Sequence, residues 1–257
     1  MKKKDYPRTY RNSLKSDGLS TYSVCVDESD LFISSTRQCV SKAYRALLDV
    51  RTELTDVISQ YPSFKTSLSP FVPEDGIKSD TIRDMVRAGI SCGVGPMASV
   101  AGAVAEYVCG ALKSECGDVI IENGGDIFLS VSSTRTVGTF AGSSDFSNMT
   151  FFEVDSTCSP LGICTSSGTV GHSLSFGRAD AVTIISRSAT LADAAATAVC
   201  NVVKRPSDID SALKKARSIE GVEGAVVMMG ESLGVWGALK IKKQERSNGI
   251  TFCIVDI

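Results

Sequence analysis

The chain has 257 residues, of which 43% are hydrophobic and 22% charged, and its formal net charge is −2. These values are ordinary for a globular protein and argue against a strongly basic nucleic-acid-binding surface. No run of residues approaches the apolar length of a membrane span, and no apolar segment follows the basic residues 2–4. The sequence therefore predicts a cytoplasmic protein with neither a secretory signal nor a membrane partner.

The first predicted elements are a polar N-terminal arm (1–18) and two short strands at 22–26 and 31–33, joined by a hairpin loop. A helix is predicted over 36–60, because apolar residues recur there at three- and four-residue steps. Prolines and a glycine make 62–79 a predicted loop, after which Ser79 or Asp80 caps a short helix.

A loop with two glycines at 93–97 leads into a helix of unusually small residues at 98–112. The small residues predict close packing of this helix against a sheet or a ligand. Unpaired N–H groups at its start would suit a phosphate. Tight packing alone is the alternative explanation.

Two apolar runs at 119–121 and 127–129 flank the sequence Asn123-Gly124-Gly125-Asp126. Adjacent glycines permit positive φ, which favours a hairpin turn between two buried strands. Glu122, Asn123 and Asp126 also bring three oxygen-bearing side chains to the end of a strand, which is typical of a ligand or metal site. These residues alone leave both interpretations open.

Downstream, strands are predicted at 136–140, 150–154, 181–185, 222–229, 234–241 and 250–257, with helices at 190–203 and 207–219. Strands outnumber helices, and tight turns join several neighbours. This pattern predicts an α+β fold in which helices cover a largely antiparallel sheet. We expect residues 1–257 to form a single domain.

The nine cysteines are scattered without a Cys-x-x-Cys motif, which predicts reduced core residues. Cys158 and Cys164 flank a turn, so pairing or metal binding between them is an alternative. His172 is the only histidine, which argues against a zinc site built on histidines.

Residues 165–173 combine hydroxyl groups and glycines around His172. Hydroxyls and backbone N–H groups can hold phosphate oxygens, and a histidine can move a proton near neutral pH. A solvent loop with an idle histidine is the alternative.

Asp193 and Thr197 are four residues apart on a predicted helix and therefore share one face. A carboxylate and a hydroxyl are the hard oxygen donors that Mg²⁺ prefers, and alanines at 194–196 leave room beside them. In the alternative, Asp193 completes a capping box with Thr190, and Thr197 bonds back to its own helix.

Taken together, these motifs resemble the ApbE family of FAD-dependent protein FMN transferases, and most of all a shorter, uncharacterised cytoplasmic subfamily of it. The resemblance rests on their order and spacing. The motifs are Gly93-Val94-Gly95-Pro96-Met97-Ala98, Glu122 to Asp126, Thr165-Ser166-Ser167-Gly168 with His172, and Ala192-Asp193-Ala194-Ala195-Ala196-Thr197-Ala198.

The resemblance implies an ApbE-like, T-fold-like architecture with FAD and Mg²⁺ as cofactors. Asp193 and Thr197 would hold the metal, with backbone carbonyls such as that of Ala196, and His172 would be catalytic. The reaction would pass FMN to a threonine hydroxyl of an acceptor protein and release AMP. The residues implied to bind the cofactor are Gly95, Asn123, Gly124, Gly125, Asp126, Thr165, Ser166 and Ser167.

One departure from the family pattern supports a second hypothesis. The family's loop before the small-residue helix carries a Lys-Gly-Tyr pattern, whereas this chain has Gly95-Pro96-Met97. The alternative function is a non-catalytic nucleotide-binding or assembly protein on the same fold. A transferase would act on an acceptor protein, and the chain could also form a homo-oligomer.

Overall fold

A computed structural model describes residues 18–74, 76–139, 150–169, 175–237, 240–244 and 250–254. Within these residues the strands form an eight-stranded sheet in the order β1-β2-β3-β4-β7-β8-β9-β10 and a four-stranded sheet in the order β12-β11-β6-β5. All neighbouring strands are antiparallel. The strands are β1 (Ser20–Val26), β2 (Ser29–Ser35), β3 (Val119–Asn123), β4 (Asp126–Ser130), β5 (Arg135–Thr139), β6 (Thr150–Val154), β7 (Leu161–Ser166), β8 (Ala181–Ser186), β9 (Val222–Met229), β10 (Ser232–Gly237), β11 (Lys240–Gln244) and β12 (Ile250–Ile254).

Helices cover one face of the large sheet, where α4 packs on β3 and β4 and α5 packs on β7 and β8. The main core lies between these helices and the sheet. A second core, which includes Ile127, Leu129 and Phe152, joins the large sheet to the smaller one. The predicted α+β class with a largely antiparallel, helix-covered sheet is confirmed. The helices are α1 (Val40–Gln60), α2 (Pro62–Thr66), α3 (Asp80–Cys92), α4 (Val100–Cys116), α5 (Ala189–Cys200) and α6 (Ile209–Ser218).

The first long helix begins later than predicted, and the proline-rich loop after it contains a helix. Thr36 is held in the sheet region, since its N–H donates to the carbonyl of Asp118 over 3.1 Å, and α1 starts only after Cys39. Pro62 stands in the first turn of α2 rather than ending structure there, and Phe64 anchors α2 as a fully buried residue. Proline is tolerated at this position because a first-turn N–H has no helical partner.

The prediction of one strand over 234–241 is wrong. β10 ends at Gly237, whose φ is +100°, and β11 begins at Lys240 in the other sheet. A Cβ at Gly237 would lie 2.3 Å from the carbonyl oxygen of Glu223 in β9. Only glycine therefore fits at the position where β10 stops pairing with β9.

The prediction that all cysteines are reduced is wrong for Cys39 and Cys116, which form a disulfide. The two residues are 77 positions apart, but the start of α1 lies beside the end of α4, and their Cα atoms are 6.8 Å apart. Cys158 and Cys164 remain thiols: the first is exposed and the second is buried in β7.

Among the described residues, no single helix has both the length and the apolar character needed to cross a membrane. The segments Asp80–Cys92 and Pro96–Cys116 meet that test only as a pair, and they are bent by 105° relative to each other.

Candidate functional site

The site lies around the turn that joins β3 to β4. Gly124 and Gly125 form this turn with φ values of +67° and +109°, and Asn123 pairs with Asp126 across it. The predicted hairpin is therefore confirmed, and the positive φ values explain both glycines. The turn also contacts other elements: the Nδ2 group of Asn123 donates to the carbonyl of Ala101 over 3.1 Å, which ties the hairpin to the start of α4.

The small residues of α4 bring its first turn against α5. A Cβ at Gly102 would lie 2.2 Å from the carbonyl oxygen of Ala189 and 2.9 Å from the Cβ of Asp193. Because the helices approach this closely, the N–H of Gly102 donates to Oδ2 of Asp193 over 2.9 Å. The Asp193 carboxyl thus accepts one of the N–H groups that an N-terminal helical turn leaves unpaired.

Asp193 is not a helix cap. The cap of α5 is Ser188, whose Oγ accepts from the N–H of Leu191 over 3.3 Å. Thr190 instead donates through its N–H and its hydroxyl to Oε2 of Glu106, each over 3.0 Å. The capping-box alternative is therefore wrong, and Asp193 lies inside α5 with its carboxyl directed to α4.

Thr197 follows Asp193 by one helical turn and is 4% exposed. Its Oγ1 atom is buried and has no hydrogen-bond partner within the described part of the chain. The alternative in which Thr197 bonds back to its own helix is wrong, because that bond would satisfy the hydroxyl. A buried hydroxyl without a partner is costly, so such a group calls for an explanation.

Asp126 brings a second buried carboxyl to the site. Its Oδ1 atom accepts from the N–H of Thr165 over 3.1 Å. Burial, together with the negative charge of Asp193, raises the pKa of Asp126 well above its usual value. Burial also raises the pKa of Asp193 to about 7, against the opposing effect of the N–H groups of Gly102 and Ala101.

The charge of the two carboxyls is not balanced within the described part of the chain. Within the described residues, neither Asp126 nor Asp193 forms an ion pair with a lysine or arginine. Carboxylates in such a place are stabilised by a cation. With the unpartnered hydroxyl of Thr197, this set of hard oxygen donors fits Mg²⁺.

The donor set is nevertheless small. No group of three or more His, Cys, Asp and Glu side chains in the described residues could hold a metal ion. Hydroxyl and backbone oxygens would have to complete the coordination. The alanines at 194–196 are fully buried, so their small size serves close packing of α5 in the core.

The other predicted cofactor-binding residues differ in whether their polar groups already have partners in the fold. Ser166 is 2% exposed, and its Oγ also lacks a partner in the described segments. The hydroxyl of Thr165 pairs with that of Thr183 at 2.9 Å, and the hydroxyl of Ser167 pairs with that of Thr169 at 3.2 Å. Gly95 allows backbone contact elsewhere, because a Cβ there would lie 1.8 Å from the carbonyl oxygen of Ser67. The predicted catalytic residue, His172, lies outside the described residues.

Two residues of α4 shape this site. Gly102, one of the small residues predicted to allow close packing, admits Asp193 to the start of α4. Glu106, which was not among the predicted site residues, accepts from the N–H and the hydroxyl of Thr190 at the start of α5. Glu106 is the single acidic residue among the small and apolar residues 98–112, and that isolation was a usable signal.

Comparison with known proteins identifies the family of the chain. The family described as "AbpE bacteria" matches residues 11–235. The chain belongs to this ApbE-like family. Its relatives include proteins named "UPF0280 protein". The one from Methanococcus aeolicus is 40% identical over 205 residues, which cover 78% of this chain and 82% of the relative. The one from Methanothermobacter thermautotrophicus is 43% identical over 200 residues, which cover 75% and 76%.

The ApbE-like fold is also shared with a solved structure, the apo form of the Pseudomonas stutzeri flavinyl transferase ApbE. The TM-score is 0.53 at 12% identity, and the match covers 85% of this chain and 94% of that one. At this identity the likeness establishes the fold.

Proposed function

We propose that this chain binds FAD with Mg²⁺ and transfers FMN to a hydroxyl group of an acceptor protein. The observation that carries the proposal is the buried Oγ1 of Thr197, which has no hydrogen-bond partner among the described residues and lies one helical turn beyond the buried carboxyl of Asp193. The ApbE-like fold supports it, because the structural relative from P. stutzeri is named a flavinyl transferase.

Asp193 and Thr197 would hold the metal. Bound Mg²⁺ would neutralise charge that develops on the pyrophosphate of FAD. The N–H groups of Gly102 and Ala101 orient the carboxyl of Asp193, and its remaining lone pairs would face the metal. The N–H of Thr165 orients Asp126 in the same way. The buried hydroxyl of Ser166 is a candidate donor to a phosphate oxygen.

The remaining assignments are predictions from the family resemblance. Asn123, Gly124, Gly125 and Asp126 would border the nucleotide, and His172 would serve the phosphates or the proton transfer. The cytoplasmic location and the single domain 1–257 with its N-terminal arm also remain predictions from the sequence.

Metal-dependent binding tests the proposal. FAD is titrated into the purified protein with MgCl₂ or with EDTA, and its affinity is measured by calorimetry. We expect binding that requires Mg²⁺ and that weakens about tenfold in Thr197→Val, because valine keeps the shape of threonine but removes the oxygen ligand. The matched control is Thr52→Val: Thr52 is a helical threonine whose hydroxyl donates to the carbonyl of Leu48 over 2.9 Å. Equal FAD affinity in MgCl₂ and in EDTA would refute the metal site.

Product analysis separates transfer from binding alone. The protein is incubated with FAD, MgCl₂ and threonine-containing peptides, and AMP release is followed by chromatography. Transfer predicts equal amounts of AMP and of FMN-modified peptide. Metal-dependent FAD binding without AMP release would instead favour the non-catalytic alternative.

A further inference from the structure

The face of α5 that carries Asp193 and Thr197 continues to Asn201. These three residues are spaced four apart, so their side chains lie above one another on the same face of the helix. Asn201 keeps helical φ and ψ of −59° and −26°, and its N–H donates to the carbonyl of Thr197 over 3.0 Å. Asn201 therefore lies about 6 Å along the helix axis from Thr197.

Asn201 holds a segment that carries an exposed aromatic ring. Its Oδ1 atom accepts from the N–H of Phe176 over 2.8 Å and from the hydroxyl of Ser175 over 3.2 Å. On the other side of Phe176, Lys204 donates through Nζ to the Phe176 carbonyl. The backbone of Phe176 is thus fixed at both of its polar groups.

The next residue prevents this segment from lifting away from α5. A Cβ at Gly177 would lie 1.8 Å from the carbonyl oxygen of Cys200, so the two backbones are in direct contact. The N–H of Arg178 donates to the carbonyl of Val203 over 2.7 Å. Residues 175–178 therefore form a rigid support at the end of α5.

The Phe176 side chain, in contrast, points away from the core and is 56% exposed. A single exposed apolar side chain is common in proteins. What distinguishes Phe176 is that its backbone is immobilised beside the face of α5 that bears the proposed metal ligands. An aromatic side chain on a fixed backbone loses less conformational entropy on binding a planar ring than one on a mobile loop.

We propose that Phe176 is a stacking platform for a planar ring of the nucleotide whose phosphates lie at Asp193 and Thr197. This inference rests on the proposed function, because it requires a phosphate-anchored ligand on this face of α5. Stacking of a nucleobase on an aromatic side chain contributes about 1–3 kcal/mol. The ring that stacks is either the flavin or the adenine of FAD, and both offer the same planar π surface.

The test uses the full chain in MgCl₂ and compares ligands with and without rings. Phe176→Ala should bind FAD about 5- to 150-fold more weakly than the wild type and bind inorganic pyrophosphate equally well. Phe176→Trp should restore FAD binding. The control is Tyr44→Ala, which removes an aromatic ring that is 46% exposed on α1 and should leave FAD affinity unchanged. FMN and ADP then identify the stacked ring, since only the nucleotide that carries it should lose affinity in Phe176→Ala.

The failures of the two proposals are distinguishable. If the wild type binds pyrophosphate with Mg²⁺ and Phe176→Ala binds FAD, FMN and ADP as the wild type does, the stacking proposal is overturned and the metal site stands. If the wild type binds neither pyrophosphate nor FAD in MgCl₂, the proposed function fails and the stacking proposal fails with it.

Discussion

The hairpin of β3 and β4 has a buried acid at each end, and the two ends treat their acids in opposite ways. Asp118 precedes β3 at the open end, whereas Asp126 begins β4 at the turn, near Asp193. The exposed fractions of the three residues are similar, at 7%, 7% and 8%, but Asp118 lies nearer the surface than Asp126 and Asp193 do. The two ends therefore differ both in depth of burial and in the partners of their acids.

At the open end, the protein supplies the partners itself. Oδ1 of Asp118 accepts from the N–H and the hydroxyl of Ser132, each over 2.7 Å, and Oδ2 accepts from Arg135 over 2.8 Å. Burial raises the pKa of Asp118, but Arg135 and Ser132 together lower it below its usual value. This acid is a structural group whose charge is satisfied within the fold.

At the turn end, the described residues provide N–H donors but no cationic partner. Burial therefore prevails, and the pKa values of Asp126 and Asp193 rise. The comparison teaches that an acid with its own arginine stabilises the fold, whereas a pair of acids without one is suited to receive a cation from outside. Four predictions test this distinction, from the largest expected effect to the smallest.

Asp193→Asn should reduce Mg²⁺ affinity, measured by calorimetry in the presence of FAD, on the order of 100-fold. Asparagine keeps an acceptor for the Gly102 N–H but loses the charge that attracts the metal. Asp84→Asn on the surface of α3 is the control, since Asp84 forms only an exposed ion pair with Arg87. Unchanged Mg²⁺ affinity in Asp193→Asn would contradict the proposal that Asp193 is a metal ligand.

Arg135→Met should lower the free energy of unfolding by about 2–3 kcal/mol, because Asp118 would keep a buried charge without its cation. Urea denaturation at neutral pH measures this loss. The exposed pair Arg87–Asp84 provides the control, and Arg87→Met should change stability by less than about 0.5 kcal/mol. A similarly small loss in both variants would show that Asp118 does not depend on Arg135.

Gly102→Ala should destabilise the protein by about 2 kcal/mol, because its Cβ would overlap the carbonyl of Ala189 and separate α4 from Asp193. Gly110 is the matched control on the same helix. No heavy atom lies within 4 Å of a Cβ built there, so Gly110→Ala should stabilise α4 by about 0.5–1 kcal/mol. Thermal unfolding of both variants measures the two stability changes. Changes of the same sign would contradict the close contact between α4 and α5.

The pH dependence of stability should separate the two ends in metal-free protein. The folded pKa of Asp193, about 7, lies above the unfolded value, so its contribution is complete at low pH and is lost as the pH rises through 7. Between pH 6 and pH 7 this loss is roughly 1 kcal/mol. The lowered pKa of Asp118 has the opposite sign, so its contribution is lost as the pH falls through the folded pKa.

Urea titrations at several pH values in EDTA check both directions. Asp193→Asn should reduce the loss between pH 6 and pH 7, to which Asp126 with its raised pKa also contributes, and leave the loss at acid pH unchanged. A wild-type stability that rises from pH 6 to pH 7 would contradict the assigned environment of Asp193.

Much of the fold could be predicted from local pattern, and each error involves a contact between residues that are distant in the sequence. The apolar periodicity of α1 and the alternation in β1 reflect burial that repeats along the chain, so these elements were recognised. The start of α1 and the end of β10 were misplaced, because Thr36 is held by Asp118 and Gly237 lies against Glu223. The disulfide between Cys39 and Cys116 was missed for the same reason, since 77 residues separate its ends.

The sequence by itself determined that Asp193 and Thr197 share one face of a helix, because a four-residue spacing places side chains together wherever the helix lies. It also determined the glycine turn between Asn123 and Asp126, since adjacent glycines accept positive φ in any context. Only the tertiary structure decided what surrounds these residues. It set Asp193 against Gly102, 91 residues away, placed Asp126 near it, and left the Thr197 hydroxyl without a partner among the described residues. Such facts depend on which distant atoms surround a group, and local spacing carries no record of them.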